Sequence, residues 1–279
     1  MCAKLSCMNE TNKFTVLMSL YFKEKPDALN DCLKSLNDQT IRIDEIVIVY
    51  DGPISSELNE VVMNWCELLP IKIYKLSDNL GLGDALNYGI QNCCNELVAR
   101  MDTDDICLPN RFEKQMAYMI ENPNVTLVGG AIEEFDEMMC ASLGIRFTKE
   151  NHEDIIEYAI KKNPFNHMTV MFRKKDIQNA GGYQKHMFME DYNLWLRILS
   201  KGYKTYNFPD VLVRARTGAN MIHRRKGLRY VKSEYQLLKL KRTLGFGSLA
   251  KSYFLFIIRV IPRLLPAFLL SRAYQFLRK

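Results

Sequence analysis

The sequence predicts an α/β protein whose mainly parallel sheet is flanked by helices. In the first half of the chain, short apolar runs typical of buried strands alternate with longer stretches whose apolar residues recur at helical spacing. With 279 residues, of which 48% are hydrophobic and 25% charged, the chain is long and apolar enough for a sizeable core. Strands and helices that alternate in this rhythm pack as a parallel sheet, because each crossover helix covers one face.

Each element of this first half has a local signal in the sequence. Strands are predicted over residues 14–20, 45–50 and 71–76, and in the apolar run that ends just before Asp102. Helices are predicted over residues 26–37, 56–69, 83–94 and 109–120. Ser55 or Ser56 is expected to cap the second helix, and Pro109 is expected to open the fourth.

The second half is predicted to continue the sheet and to end in a basic extension. Strands are predicted over residues 125–147, with Gly129-Gly130 as a break, and over 165–172; helices are predicted over 151–162 and 190–202, with a tight turn at 180–183. We divide the chain into an N-terminal tail, a catalytic domain and a C-terminal helical region, over residues 1–13, 14–215 and 216–279.

Positive charge is concentrated at the C-terminal end of the chain. The formal net charge is +6, and residues 224–279 contain 14 Lys or Arg but one acid, Glu234. Such a basic region binds phosphate, either in nucleic acid or in anionic lipid. Because its cations are mixed with long aliphatic runs and no RNA-binding motif is present, a nucleic-acid partner is not expected.

The cysteines and the N-terminus indicate a cytosolic environment. Eight cysteines occur without a Cys-x-x-Cys pair or zinc-ligand spacing, which is typical of free thiols in a reducing compartment. The N-terminus lacks the long apolar core of a signal peptide. We therefore expect the protein in the cytosol or on the cytosolic face of a membrane.

The end of the C-terminal region has the pattern of helices that lie in a membrane interface. Its uncharged runs are well short of the roughly 18 residues that a spanning helix needs. Arg259 and Arg263 share a helical face, which predicts cations on lipid phosphates with aromatic side chains at the acyl boundary. Pro262 and Pro266 are expected to break or kink the helix. The alternative is a helix packed on the domain or on a second subunit.

Three closely spaced carboxylates come directly after one of the predicted strands. Asp102, Asp104 and Asp105 end the apolar run, and carboxylates this close repel one another unless water or a divalent cation intervenes. Asp51 follows another strand directly. Because ligands of parallel sheets bind at the carboxyl ends of strands, Asp51 and Asp102 are expected to face the same crevice. The alternative for each is an acidic turn on the surface.

Two further segments place polar groups at helix starts. Residues 79–89 carry three glycines before and within a helix start, where backbone N–H groups favour anions. Glu190 and Asp191 open the helix predicted near the end of the domain, although acids are also favoured there by the helix dipole alone.

Four motifs in order resemble the inverting glycosyltransferases of family 2, and in particular those that build bacterial O-antigen, capsule and exopolysaccharide repeat units. They are Ile46–Pro53, Asn79–Gly89, Arg100–Asp105 with Arg111, and Met189–Trp195. The resemblance covers roughly residues 14–215. It implies a GT-A fold, which is a Rossmann-like nucleotide-sugar domain.

The resemblance also implies a donor site and a metal site. Residues implied to bind the donor nucleotide-sugar are Asp51, which would accept from the uracil imide, and Gly81, Asp84, Asn87, Arg100, Asp102 and Asp105. Asp104, with Asp102, would ligate Mn²⁺ or Mg²⁺, and which of Asp104 and Asp105 is the main ligand stays open. His223 is a candidate further ligand. Arg100 and Arg111 would steady the acids or the phosphates, and solvated surface arginines are the alternative.

On the acceptor side, the resemblance implies Asp191 as the catalytic base. The residues implied to contact the acceptor or a diphosphate are His167, Gly182, Glu190 and Arg216. His167 begins a predicted strand, and a purely structural histidine is the alternative.

The function expected from these features is metal-dependent, inverting transfer of a hexose from a UDP-sugar of the galactose, glucose or N-acetylglucosamine type. The acceptor would be a hydroxyl of a lipid-diphosphate-linked glycan, met peripherally at the cytoplasmic face of the bacterial inner membrane. One alternative is a nucleotidyltransferase, which normally has a glycine-rich loop after the first strand, and Ser19–Lys25 has no glycine. The other is a non-catalytic membrane-associated binding module. No oligomeric state is indicated.

Overall fold

Nine strands form one mixed sheet in the computed structural model, which describes residues 13–217 and 227–264. The strands are β1 (Phe14–Leu20), β2 (Glu45–Tyr50), β3 (Ile71–Lys75), β4 (Leu97–Arg100), β5 (Ile106–Cys107), β6 (Val125–Phe135), β7 (Ser142–Arg146), β8 (Met171–Arg173) and β9 (Lys204–Arg216). Their order is β3-β2-β1-β4-β8-β6-β9-β5, with β7 paired to β6. The predicted α/β class is confirmed.

Helices flank the sheet and end the described chain. They are α1 (Pro26–Asn37), α2 (Ser56–Trp65), α3 (Leu82–Asn92), α4 (Arg111–Glu121), α5 (His152–Lys161), α6 (Lys174–Asn179), α7 (Glu190–Ser200), α8 (Leu228–Thr243) and α9 (Leu249–Leu264). The predicted cap of α2 is Ser55, whose side chain accepts a hydrogen bond from the Leu58 N–H at 3.2 Å.

The parallel half of the sheet places the predicted acids on one edge. Strands β3, β2, β1 and β4 are all parallel. All six residues of β2 are buried, as expected of a strand covered on both faces. Asp51 follows β2 and Asp102 follows soon after β4, so the two residues flank the carboxyl end of β1. The expectation that both face one crevice is consistent with this topology.

The other half of the sheet differs from the prediction at two glycines. Gly129 and Gly130 do not interrupt the strand, because β6 runs through them beside β9. A Cβ atom on Gly129 would lie 2.5 Å from Oδ1 of Asn207, and one on Gly130 would lie 2.4 Å from a methyl carbon of Leu212. The glycines therefore allow a close approach of β9 rather than a turn.

The strand predicted over residues 165–172 is mostly another structure. His167–Thr169 form a short 3₁₀ helix, and only Met171–Arg173 pair in the sheet. The Thr169 hydroxyl donates to the Asn166 carbonyl at 2.8 Å, and the Asn166 amide donates to the Gly130 carbonyl at 2.8 Å. These side-chain hydrogen bonds compete with strand pairing and turn the chain.

The C-terminal helices pack on the domain through buried charges, which corrects the expectation for Arg259. Its guanidinium lies 2.8 Å from the carboxylate of Glu234, which is 2% exposed. Arg259 therefore faces α8 and not a lipid surface. Helix α9 also continues past Pro262 to Leu264, while Pro266 lies outside the described residues.

None of the helices formed by residues 13–217 and 227–264 combines the length and the apolar character needed to cross a bilayer.

Candidate active site

Three carboxylates converge in the loop between β4 and β5. Ligand oxygens of Asp102, Asp104 and Asp105 all lie within 4.8 Å of one another. The loop leaves the carboxyl end of the buried strand β4, so the strand itself directs the acids to the edge of the sheet. The structure therefore brings together all the acids that the sequence predicted at this point.

The acidic cluster has too little positive charge for its carboxylates. Asp105 is 2% exposed; its Oδ1 accepts the Arg216 backbone N–H at 2.8 Å, and its Oδ2 is buried without a hydrogen-bond partner. Burial, and then the charge of Asp102, raise the pKa of Asp104 to about 6 and hold the pKa of Asp105 well above its ordinary value. A divalent cation would relieve both the repulsion and the unsatisfied oxygen, so these residues fit Mn²⁺ or Mg²⁺.

The side chains of Arg111 and Arg216 donate to backbone carbonyls of the acidic loop and of the strand before it. Arg111 is fully buried and donates to the Arg100 carbonyl at 2.7 Å and to Gln115 at 3.0 Å. Arg216 donates to the Asp104 carbonyl at 3.1 Å. The alternative of a solvated Arg111 is wrong, and the contact of Arg216 with the acceptor or a diphosphate stays a prediction.

Arg100 connects the acidic cluster to the other side of the crevice. It is 2% exposed and forms an ion pair with Asp102, while its Nε and Nη1 are buried without hydrogen-bond partners. Its charge favours the ionised form of both Asp104 and Asp191 and so opposes the rise that burial causes in their pKa values, and it also lowers the pKa of His167. One buried cation therefore acts on both the acidic loop and the predicted base.

Asp51 braces the glycine-containing loop that precedes α3. Its carboxylate accepts the backbone N–H of Leu80 at 2.7 Å and that of Gly81 at 3.0 Å, and its carbonyl accepts from the Asn79 amide at 3.1 Å. Gly52, at φ +85°, approaches Asn79 so closely that a Cβ would lie 2.7 Å from the Asn79 nitrogen. The uracil contact stays a prediction. The Asp51 carboxylate that would make it already accepts hydrogen bonds from two donors.

Asn87 and Asp84 connect α3 to the tight turn at residues 180–183 and to Lys185 just after it. The Asn87 amide donates to the Tyr183 carbonyl at 2.7 Å and accepts the Tyr183 N–H at 2.8 Å. A Cβ on Gly182, which has φ +58°, would lie 2.6 Å from the Asn87 oxygen. Asp84 lies 3.5 Å from the Lys185 ammonium. The tight turn is confirmed and Asn87 holds it, while the donor contact predicted for Asn87 stays a prediction.

Asp191 lies in the first turn of α7, where an amide holds its carboxylate. Its Oδ2 accepts from the Asn163 side chain at 2.6 Å. Burial raises the pKa of Asp191, whereas the Asn163 hydrogen bond and the charges of Arg100 and Arg146 oppose that rise. Glu190, whose pKa is also raised by burial, lies beside Gly83 of α3. The two acids therefore have different neighbours, as expected.

His167 packs against two aromatic side chains, those of Tyr183 and Trp195. Its Nε2 lies 2.7 Å from the Tyr183 hydroxyl, and its ring centroid lies 5.9 Å from that of Trp195. Burial, with a contribution from Arg100, holds the pKa of His167 well below its usual value, so the ring is neutral. His223, the candidate further metal ligand, lies outside the described residues.

Asn163 and Tyr183 contact the predicted site residues but were not selected from the sequence. The available signal was Asn163-Pro164 directly after a predicted helix, because a residue before proline is driven out of helical geometry. Tyr183 follows Gly181-Gly182, and its partner His167 is far away in the chain. Neither pairing has a local sequence pattern.

Comparison with known proteins adds sequence relatives along nearly the whole chain. The sequence model described as "Glycosyl transferase family 2" matches residues 15–226. The chain is 50% identical over 266 residues to the amylovoran biosynthesis glycosyltransferase AmsE of Erwinia amylovora, covering 95% of this chain and 99% of that protein. It is 37% identical over 258 residues to the UDP-Gal:alpha-D-GlcNAc-diphosphoundecaprenol beta-1,3-galactosyltransferase of Escherichia coli, covering 92% and 94%.

A solved structure extends the comparison to the fold. The crystal structure of S. aureus TarS 1-349 in complex with UDP-GlcNAc superposes with a TM-score of 0.68 at 16% identity, covering 88% of this chain and 72% of that one. This likeness concerns the fold alone, and the expected GT-A fold is confirmed.

Proposed function

Because this chain belongs to glycosyltransferase family 2, we propose that it is a metal-dependent, inverting hexosyltransferase that uses a UDP-sugar. The observation that carries the proposal is that one buried cation, Arg100, is paired with Asp102 and also favours the ionised form of Asp191. The acidic loop has an excess of carboxylates suited to a cation that would hold the diphosphate, and Asp191 is a carboxylate held by an amide. These are the two chemical parts that a single displacement at an anomeric carbon requires.

In the proposed reaction, Asp191 accepts the proton of the acceptor hydroxyl. As that O–H bond breaks, the oxygen forms a bond to the anomeric carbon, and the bond from this carbon to the diphosphate oxygen breaks with its electron pair leaving on UDP. One base and one displacement invert the configuration. Asp102, Asp104 and Asp105 would hold Mn²⁺ or Mg²⁺, whose charge stabilises the departing diphosphate when bound.

The donor and the acceptor are proposed from the relatives. The galactosyltransferase relative is named for UDP-Gal and for a GlcNAc-diphosphoundecaprenol acceptor, and it aligns with 92% of this chain. We therefore place UDP-galactose first among the donors, with the glucose and N-acetylglucosamine types next. A sugar linked through diphosphate to a lipid is the proposed acceptor, and AmsE supports a role in surface polysaccharide synthesis.

A lipid-linked acceptor implies contact with a membrane, and α9 offers a surface for it. Phe254, Ile257, Ile258 and Ile261 follow helical spacing, and all four are about half exposed or more. Exposed cations on the neighbouring helix α8 are Arg229, Lys232, Lys239 and Arg242. Apolar side chains beside unpaired cations suit a surface of anionic lipid, so we propose peripheral binding at the cytoplasmic face of the bacterial inner membrane.

The experiment is a panel of radiolabelled UDP-sugars offered with synthetic lipid-diphosphate monosaccharides, with and without Mn²⁺. We expect one donor to give a glycosylated lipid of inverted configuration and free UDP. Asp191→Asn should lower kcat at least about 1000-fold, because the base is lost, with donor affinity kept. Asp154→Asn, at an exposed position of α5, is the matched control.

Other products would point to the alternatives. Release of pyrophosphate instead of UDP would favour a nucleotidyltransferase. Donor affinity without turnover for any acceptor, together with indifference to Asp191→Asn, would favour a binding module.

A further inference from the structure

We propose that Asn163 is a positioning residue for Asp191: it holds Oδ2 of the carboxylate and leaves the other oxygen to meet the acceptor hydroxyl. This inference rests on the proposed function, in which Asp191 is the base. The supporting contact is the 2.6 Å hydrogen bond from the Asn163 amide nitrogen to Oδ2. A side-chain amide is not a general acid or base, so its contribution is to orient the carboxylate and to favour its charged form.

The backbone around Asn163 is fixed on both sides. Helix α5 ends at Lys161, and Pro164 drives Asn163 away from helical geometry. The Asn207 amide donates to the Pro164 carbonyl at 3.1 Å, and the Phe165 ring packs with its centroid 5.6 Å from that of Trp195 on α7. Asn163 is therefore attached to the helix that carries Asp191 by packing as well as by its amide.

Side chains from α7 and α8 cap the carbonyl end of α5, just before Asn163. The Tyr192 hydroxyl donates to the Ala159 carbonyl at 2.6 Å, and the Lys241 ammonium donates to the Ile160 carbonyl at 2.8 Å. Lys241 also donates to the Tyr192 hydroxyl at 2.8 Å. Cations are favoured at the C-terminal end of a helix, so α8 stabilises the segment that presents Asn163.

Charged and titratable groups on other elements also act on Asp191. Arg100 on β4 and Arg146 on β7 favour its ionised form, and the charge of Asp191 in turn raises the pKa values of Glu190 on α7 and of Tyr183 in the tight turn. Neither arginine is changed by substituting Asn163. An effect of Asn163 on the base can therefore be measured against a constant background of these charges.

The test compares Asn163→Ala and Asn163→Asp with wild-type protein. Carboxyl carbons of ¹³C-labelled aspartate report the pKa of Asp191 by NMR, with the signal assigned through Asp191→Asn. Without the amide, the charged form loses a hydrogen bond, so the pKa of Asp191 should rise and the acid limb of kcat/KM should move to higher pH. We expect kcat/KM for galactosyl transfer from UDP-galactose to fall about 10- to 100-fold at neutral pH.

Asn163→Asp nearly preserves the shape of the side chain and guards against misfolding. It places a second carboxylate against Asp191, so the acid limb should move further than in Asn163→Ala. The matched control is Asn92→Ala at the end of α3, which loses one hydrogen bond to the Tyr88 carbonyl at 2.7 Å. Its pH profile should equal that of the wild type.

The outcomes separate this inference from the proposed function. An unchanged pKa of Asp191 and an unchanged acid limb in both Asn163 variants would overturn it. A larger dissociation constant for UDP-galactose with an unchanged kcat would also overturn it, because Asn163 would then contact the donor. A raised pKa of Asp191, in a protein whose wild type transfers no sugar, would support the positioning contact and refute the proposed function.

Discussion

Two clusters of buried charge in the described chain differ in how far their charges cancel. In the acidic loop, Asp102, Asp104 and Asp105 face one another, with Asp102 paired to Arg100 and a buried oxygen of Asp105 left unsatisfied. Between the C-terminal helices, Glu234 is paired with Arg259 at 2.8 Å, although its other carboxylate oxygen is also buried without a hydrogen-bond partner.

In the cluster between the C-terminal helices, the remaining cation, Lys241, is also hydrogen-bonded within the protein. Lys241 donates to the Ile160 carbonyl and to the Tyr192 hydroxyl, both at 2.8 Å. Buried charge alone therefore does not indicate a reactive site, since structural ion pairs also perturb pKa values. The acidic loop differs because three carboxylates converge there with one ion pair, to Arg100, and because Asp102 and Asp104 are partly exposed and so open to an outside cation.

The largest effect is expected from removing a carboxylate from the acidic loop. Asp104→Asn should lower metal-dependent turnover about 100-fold or more, because cation binding stabilises the leaving group by several kcal/mol. Mn²⁺ should raise the melting temperature of the wild type but not of the variant, as expected for a ligand that binds the folded state. Turnover assays and thermal denaturation with and without Mn²⁺ measure both.

The control for Asp104 lies in the other cluster. Glu234→Gln removes a carboxylate that is 2% exposed, and it should lower stability while leaving the Mn²⁺-induced rise unchanged. Full activity of Asp104→Asn in the presence of a chelator would remove the metal from the proposal. An equal loss of the Mn²⁺ effect in both variants would abolish the distinction between the clusters.

A smaller effect is expected at the outer face of α9, whose inner face carries Arg259. The double substitution Ile257→Asp and Ile258→Asp places charges at positions that are 52% and 49% exposed, so the fold should be retained. Binding to vesicles of anionic phosphatidylglycerol should fall about tenfold or more, since apolar contact is lost and charge repulsion is added. Co-sedimentation of the full chain measures it.

Leu143→Asp is the control for the face of α9, because Leu143 is an apolar residue of β7 with 49% exposure. It should bind vesicles like the wild type. Unchanged sedimentation of the α9 variant would indicate that this face contacts protein, which was the alternative from the sequence.

Much of the parallel half of the fold could be predicted from local pattern. The strand over residues 45–50 is a short apolar run with clear ends, and its bounds match the prediction. The helix at Glu190 has apolar residues at regular spacing, and it begins where predicted. In both cases the information lies within the element itself.

The errors occur where a distant residue determines the local structure. Gly129 was interpreted as a break, but the reason for glycine there is the Asn207 side chain on β9. Arg111 was given a surface alternative, although it is buried beneath the backbone of the acidic loop. Asn163 was not selected because its partner lies 28 residues further along the chain. Such contacts have no signature in a single sequence.

The smallest effect is expected from the charge of Lys241, through the dependence of stability on pH. Burial lowers the pKa of Lys241 to about 7, while Arg259 lowers it further and Glu234 opposes the change. An unfolded lysine titrates near about 10.4, so between these values the unfolded chain binds more protons and the free energy of unfolding should rise with pH. Relative to Lys241→Met, the wild type should gain about 2 kcal/mol between pH 7 and pH 9.

Other groups titrate over the same range, so the difference between the two proteins is the informative quantity. Urea denaturation at each pH gives the free energies of unfolding, and Lys239→Met, at an exposed position on the same helix, is the control. A difference that stays constant with pH would mean that Lys241 keeps its ordinary pKa in the folded protein. Its two acceptors and Glu234 would then fully offset its burial.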